Sequence, residues 1–136
     1  MNPAGKDIAS ILEDQSSLGL TLATDLFYGR LIDGDGFDNI VAVVDNPGDA
    51  PQLTLQKDTS GYKYSSVSIY VRNVDYDDGY AVIDSIVDYL HGLSGIVESG
   101  TLYTLVRAMA DPQVLEYDEN DRVVFMVNFE VQRRVN

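Results

Sequence analysis

Val123, Phe125, Val127, Phe129 and Val131 occupy every second position of one segment, opposite Val124, Met126, Asn128, Glu130 and Gln132. Only an extended strand sends alternate residues to one face, so this run commits the chain to a β-sheet lying on a core. Two shorter alternations agree with it. Val67, Ile69 and Val71 alternate with Ser66, Ser68, Tyr70 and Arg72, and Leu102, Thr104 and Val106 alternate with Tyr103, Leu105 and Arg107 before Asp111-Pro112 breaks the run. Ile40-Val41-Ala42-Val43-Val44 is a continuous apolar run, as in a strand covered on both faces, and Asn46-Pro47-Gly48 stops it. Residues 26–32 are rich in strand formers and end at the turn cluster Asp33-Gly34-Asp35-Gly36. Their spacing from the 40–44 run suits a hairpin. A short extended piece is expected at residues 53–55, with a turn at Ser60-Gly61.

Helical spacing appears twice. Ile8, Ile11 and Leu12 follow Asp7, a possible cap, and predict a short amphipathic helix ending near residues 16–19. Ile83, Ile86, Val87 and Leu90 form the stripe of the main helix, with Asp75, Asp77 and Asp78 at its positive end and Gly92 near its stop. The order is helix, two or three strands, helix, two strands. Strands joined by short turns with few helical crossovers predict an α+β fold, a mainly antiparallel sheet with helices packed on one face. No linker or internal repeat interrupts residues 1–136, so one domain is expected, and at this length one core can hold it.

Charge narrows the function. With 22 acidic against 9 basic residues the net charge is −13, which repels nucleic acid phosphates and anionic lipid headgroups. A DNA-reading role and a membrane-surface role are disfavoured. The absence of cysteine removes disulfides, thiolate zinc sites and thiol catalysis together. No apolar leader or membrane-spanning stretch is evident, so the expected location is the cytoplasm in which the protein is made.

The remaining chemistry is sparse. His91, the single histidine, falls at the end of the main helix, where a structural role is expected. Asp33, Asp35 and Asp38 could offer oxygen ligands to calcium, as could Asp75, Asp77 and Asp78, but neither group has the spacing of an EF-hand loop. A solvated turn explains the first group and helix-start chemistry the second. Glu116, Asp118, Glu119 and Asp121 cluster before the last strand and read as a polar loop, or as an acidic patch that meets a basic one, for which Arg122, Arg133 and Arg134 are the candidates. No glycine-rich phosphate motif occurs, and no cofactor is expected. Tyr62, Tyr64, Tyr70, Tyr76 and Tyr80 crowd one third of the chain, which suits either packing on a sheet or a half-buried surface that meets a partner.

Two longer segments carry a resemblance. Val67-Ser68-Ile69-Tyr70-Val71-Arg72-Asn73-Val74-Asp75-Tyr76 is a strand ending in arginine that leads to an acidic, tyrosine-bearing helix start. Pro112, Leu115, Asp118 and Arg122 then give a P-x-x-L-x-x-D-x-x-x-R loop before a final strand with the Asn128-Phe129 pair. In order, spacing and length the chain resembles the small minor capsid and tail terminator proteins of long-tailed bacteriophages. The resemblance implies a virion protein of the tail and neck, assembled in the host cytoplasm, whose copies form a homohexameric ring. Such a ring caps the tail tube, stops its polymerisation and joins the tail to the head. Its implied partners are other copies of itself, the tail tube protein and the head-tail connector proteins, with DNA passing through the lumen unbound.

Sequence offers Asp33, Asp35, Asp38, Glu116, Asp118, Glu119 and Asp121 as acids for that lumen or an interface. A head completion or connector protein of the neck is the near alternative. A calcium-dependent binding module or a carboxylate-based enzyme is the alternative of a different class, using Asp33, Asp35, Asp75, Asp77 and Asp78.

Overall fold

A computed structural model describes residues 1–50 and 61–136; the piece expected at residues 53–55 and the turn beginning at residue 60 lie outside the described residues. In chain order the elements are α1 (Ala4–Asp14), a 3-10 turn (Ser16–Leu18), β1 (Leu26–Tyr28), β2 (Ile40–Asn46), β3 (Lys63–Asn73), α2 (Tyr76–Leu90), β4 (Ile96–Glu98), β5 (Thr101–Ala108), β6 (Gln113–Tyr117) and β7 (Val123–Val135). The strands form one mixed sheet in the order β1-β2-β3-β7-β5-β4, with β6 also on β7. The α+β expectation holds, and every pairing except β1 with β2 is antiparallel.

The alternating run at the end of the chain is the spine of that sheet. β7 pairs with β3 along Val123 to Arg133, and on its other side with β6 and then β5. Val123, Phe125, Val127, Phe129 and Val131 are all buried, in one core with Ile8, Ile11 and Leu12 of α1 and Ile83, Ile86 and Leu90 of α2. Each such side chain stabilises the fold by about 1.5–3 kcal/mol when fully removed from water. On the opposite face the Asn46 amide donates to Ser68 Oγ, which donates to Asn128 Oδ1, a polar row across β2, β3 and β7.

Several local expectations change. Residues 26–32 do not form a hairpin with β2: β1 ends at Tyr28 and runs parallel to β2, with Leu26 opposite Val41. The cause is the path of the chain, which leaves β1 through Gly29 at φ 98° and returns before pairing, its Phe37 ring packed edge-on to Phe27. Asp7 is not the cap of α1. The helix starts three residues earlier, and its Gly5 N–H donates 2.8 Å to Asp45 Oδ1 of β2. Asp7 is instead buried, accepting from the Tyr103 hydroxyl and from Asn2 Nδ2.

The main helix follows its prediction. Asp75 accepts 2.9 Å from the Asp78 N–H as N-cap, and Gly92 takes φ 84° just beyond the end. Gly79 lets this helix lie close on the sheet, since a Cβ there would come within 3.0 Å of Asn73 Cβ and of the Phe125 ring. The stretch read as a loop before the last strand is partly β6, whose register with β7 shifts between Val114 and Glu116.

Candidate functional site

Neighbouring strands β3 and β7 bring Arg72 and Arg122 to the same end of the sheet, because Arg72 lies opposite Val124 in the register. Two loops then deliver carboxylates to them. Residues 29–39, returning from β1, supply Asp33 and Asp38, and the turn between β6 and β7 supplies Asp118.

Arg122 holds the centre. Its Nε donates 2.8 Å to Asp118 Oδ2, its Nη1 donates 2.9 Å to Asp38 Oδ1, and its Nη2 donates 3.0 Å to Asp33 Oδ2. The side chain is 4% exposed, whereas those of Asp33 and Asp38 are 54% and 62% exposed. A charged guanidinium can sit so deep only because carboxylates take its donors. Arg72 is equally buried and donates from Nη2 to the backbone carbonyls of Ile32 and Phe37, with Asp33 at 3.7 Å. It therefore fastens the same loop by its backbone.

The protonation equilibria carry this geometry. The hydrogen bond from Arg122, reinforced by the Gly34 N–H, holds the Asp33 carboxyl below its usual range. Desolvation pushes Asp118 upward, but the N–H groups of Arg122 and Asn120 and the Arg122 guanidinium outweigh it and leave that carboxyl lowered. Hydrogen bonding to Asp33 in turn raises Arg122, against its desolvation. Arg72 is lowered, by burial first and by the neighbouring positive charge of Arg122 second.

Of the seven acids singled out in the sequence, the fold therefore gathers Asp33, Asp38 and Asp118 around Arg122. Asp35, Glu116, Glu119 and Asp121 are exposed and form no ion pair among the described residues. The basic residues separate. Arg122 is bound within its own chain, while Arg133 and Arg134 lie at the other end of β7, roughly 40 Å away at about 3.3 Å per residue. Arg133 is buried and donates to Ser65 Oγ and to the Asn2 carbonyl. Arg134 stacks its guanidinium 6.0 Å from the centre of the Tyr62 ring.

Among the described residues no three carboxylate, histidine or cysteine side chains are placed to share a metal ion. Where Asp33, Asp38 and Asp118 converge, a guanidinium occupies the position. His91 accepts 3.0 Å from the Ala108 N–H through Nδ1, tying the end of α2 to β5. Asp75 acts as the α2 cap, as its sequence position suggests.

Sequence reading missed the surface of β6. All five of its residues are exposed, with Val114, Leu115 and Tyr117 at 40%, 48% and 56%. The available signal was a short extended stretch followed by turn residues and then the strongest strand of the chain, a hairpin pattern. The crowded tyrosines divide: Tyr76 and Tyr80 remain 49% and 43% exposed while packing on Phe125, and Tyr62, Tyr64 and Tyr70 are half-buried.

What the fold and this network define is an α+β protein whose buried charges serve its own architecture. Residues 15–135 match the family model described as bacteriophage tail terminator protein, and the chain belongs to that family. It is thus a structural protein of the phage tail. A chain in the solved structure of the virion of a native gene transfer agent particle has the same fold, with a TM-score of 0.68 at 15% identity, covering 97% of this chain and 95% of that one. No curated protein matches the sequence.

Proposed function

We propose that copies of this chain close into a ring on the end of the tail tube, stop its polymerisation and present the surface that joins the tail to the head. The observation that carries this reading is the match to the tail terminator family over residues 15–135. Six copies, as in the proteins the sequence resembles, form the ring, assembled in the host cytoplasm and retained in the virion neck. Ending a polymer needs a surface complementary to its last layer and no bond chemistry, so the protein acts without catalysis or cofactor. Its partners are other copies of itself, the tail tube protein and the connector proteins.

The charge supports the same reading. A ring whose lumen carries exposed acids, for which Asp35 is the candidate, lets DNA pass without adhering, because phosphate binding depends on lysine and arginine. Negative-stain microscopy of lysates from a phage lacking this protein tests the proposal. Overlong tails without heads are expected. Tails of normal length beside leaking heads would instead mark a head completion protein and contradict termination.

A further inference from the structure

β6 hydrogen-bonds to β7 on one side and to no other described strand. An edge strand of this kind leaves a row of backbone donors and acceptors open to pairing, and proteins commonly protect such edges with lysine, proline or a covering loop. The sequence Gln113-Val114-Leu115-Glu116-Tyr117 carries neither lysine nor proline and is exposed along its whole length.

The open edge continues into an apolar shelf. Directly opposed residues share a face, so Val114 lies with Phe125 and Tyr117 with Val123, on the side of the sheet that α2 covers. There the Tyr76 and Tyr80 rings approach Phe125 at 5.3 Å and 5.9 Å between centres and remain about half exposed. The exposed charges on and next to these elements are acidic: Glu116, opposite Val124, on the other face of β6, Asp111, Glu119 and Asp121 flanking that strand in the chain, and Asp77 next to Tyr76 on α2. The one arginine at this end of β7, Arg122, is buried against three aspartates.

We propose that the free edge of β6 is a docking site for an extended, basic segment of another virion protein, which adds to the sheet as a further strand. Backbone bonds to β6 give the affinity, the shelf accepts alternate apolar side chains, and lysine or arginine between them meets the acidic rim. A second copy of this chain, itself at net charge −13, is the less suited occupant. The inference deepens the assembly reading above and rests on it for the partner being a neighbour in the virion.

A short synthetic peptide alternating valine with lysine is the probe, with a valine–glutamate peptide as its control. Hydrogen exchange and amide NMR shifts of the full chain read where each binds. The lysine peptide is expected to protect the amides of residues 113–117, and the glutamate peptide to bind roughly tenfold more weakly or not at all. The double variant E116K/E119K changes two exposed residues that form no ion pair among the described residues, and should weaken the lysine peptide about threefold to tenfold without altering the melting temperature. Equal binding of both peptides, or shifts that avoid β6, would overturn the proposal. Concentration-dependent protection of β6 without peptide would also overturn it, in favour of a second copy. Loss of tail-length control in the gene deletion together with any of these results rejects the docking site and leaves termination intact. Binding at β6 with normal tails in the deletion does the reverse.

Discussion

Arg122 Nη2 and Asp33 Oδ2 stand 3.0 Å apart, joining the start of the last strand to a loop 89 residues earlier in the chain. The contact is what turns residues 29–39 from a free excursion into part of the sheet's end wall. Arg72 completes the attachment by holding the Ile32 and Phe37 carbonyls.

Removing that anchor tests its weight. Arg122→Gln deletes charge-assisted bonds to three carboxylates while leaving a polar group of similar length. It should lower unfolding free energy by about 2 kcal/mol, read from urea denaturation midpoints. Asp33→Asn should have a smaller effect, because its carboxylate is largely solvated.

The same pair sets an acid dependence. Asp33 and Asp118 are held below the ordinary aspartate value of 3.8 in the folded chain. Below about pH 4 the unfolded chain therefore binds more protons at these positions than the folded one, so stability falls as pH drops through the depressed values. Glu98, raised by burial and by the nearby Asp14 and Asp7, contributes with the opposite sign. The comparison that isolates the pair is stability against pH in wild type and Arg122→Gln: the variant should lose less on acidification.

Asp45 is expected to act as a helix cap supplied from the sheet. Pro3 at the start of α1 makes no side-chain cap bond, and the carboxylate of Asp45 meets the Gly5 N–H in its place. Asp45→Ala should destabilise by about 1 kcal/mol, with faster hydrogen exchange in the first turn of α1. An unchanged midpoint would show that water replaces the carboxylate.

Gly79→Ala sets two effects against each other. Alanine favours a helix interior by up to about 1 kcal/mol over glycine. Its Cβ would meet Asn73 Cβ and the Phe125 ring at 3.0 Å, and overpacking costs about 1–3 kcal/mol. Asn73 Cβ is fixed to the backbone of β3 and cannot swing aside, so a net loss near 1 kcal/mol is expected in thermal melts. A gain in melting temperature would mean that α2 shifts as a body.

Periodicity made β3, β7 and α2 legible because each buries a regular apolar face; β5 was legible as a strand only, since the register shift between Tyr103 and Leu105 puts Tyr103 into the core with Val106 and leaves Leu102 and Thr104 partly exposed. It failed where long-range contacts decide. Nothing in the spacing of residues 26–32 tells a parallel strand from a hairpin, since the choice depends on how Phe37, Arg72 and Arg122 hold the intervening loop. Asp7 reads as a cap because caps are local, while its actual partner, Tyr103, is 96 residues away. The acids were visible as a group, yet their division into three bound and four free follows from one arginine, Arg122. Its sign alone suggests a partner interface, and only its burial against Asp33, Asp38 and Asp118 shows otherwise. The regular alternation of β7 gives no sign that it lies inside the sheet, flanked by β3 on one side and by β5 and β6 on the other, or that the short stretch before it forms an open edge.

Whether this chain ends tail growth is read from the length distribution of tail tubes polymerised from purified tube protein with increasing amounts of it. Growth should stop soon after addition, with ring-shaped density on one end of each tube and no change in tubes already complete. Tubes that continue to lengthen at saturating protein, with no density at their ends, would contradict the account.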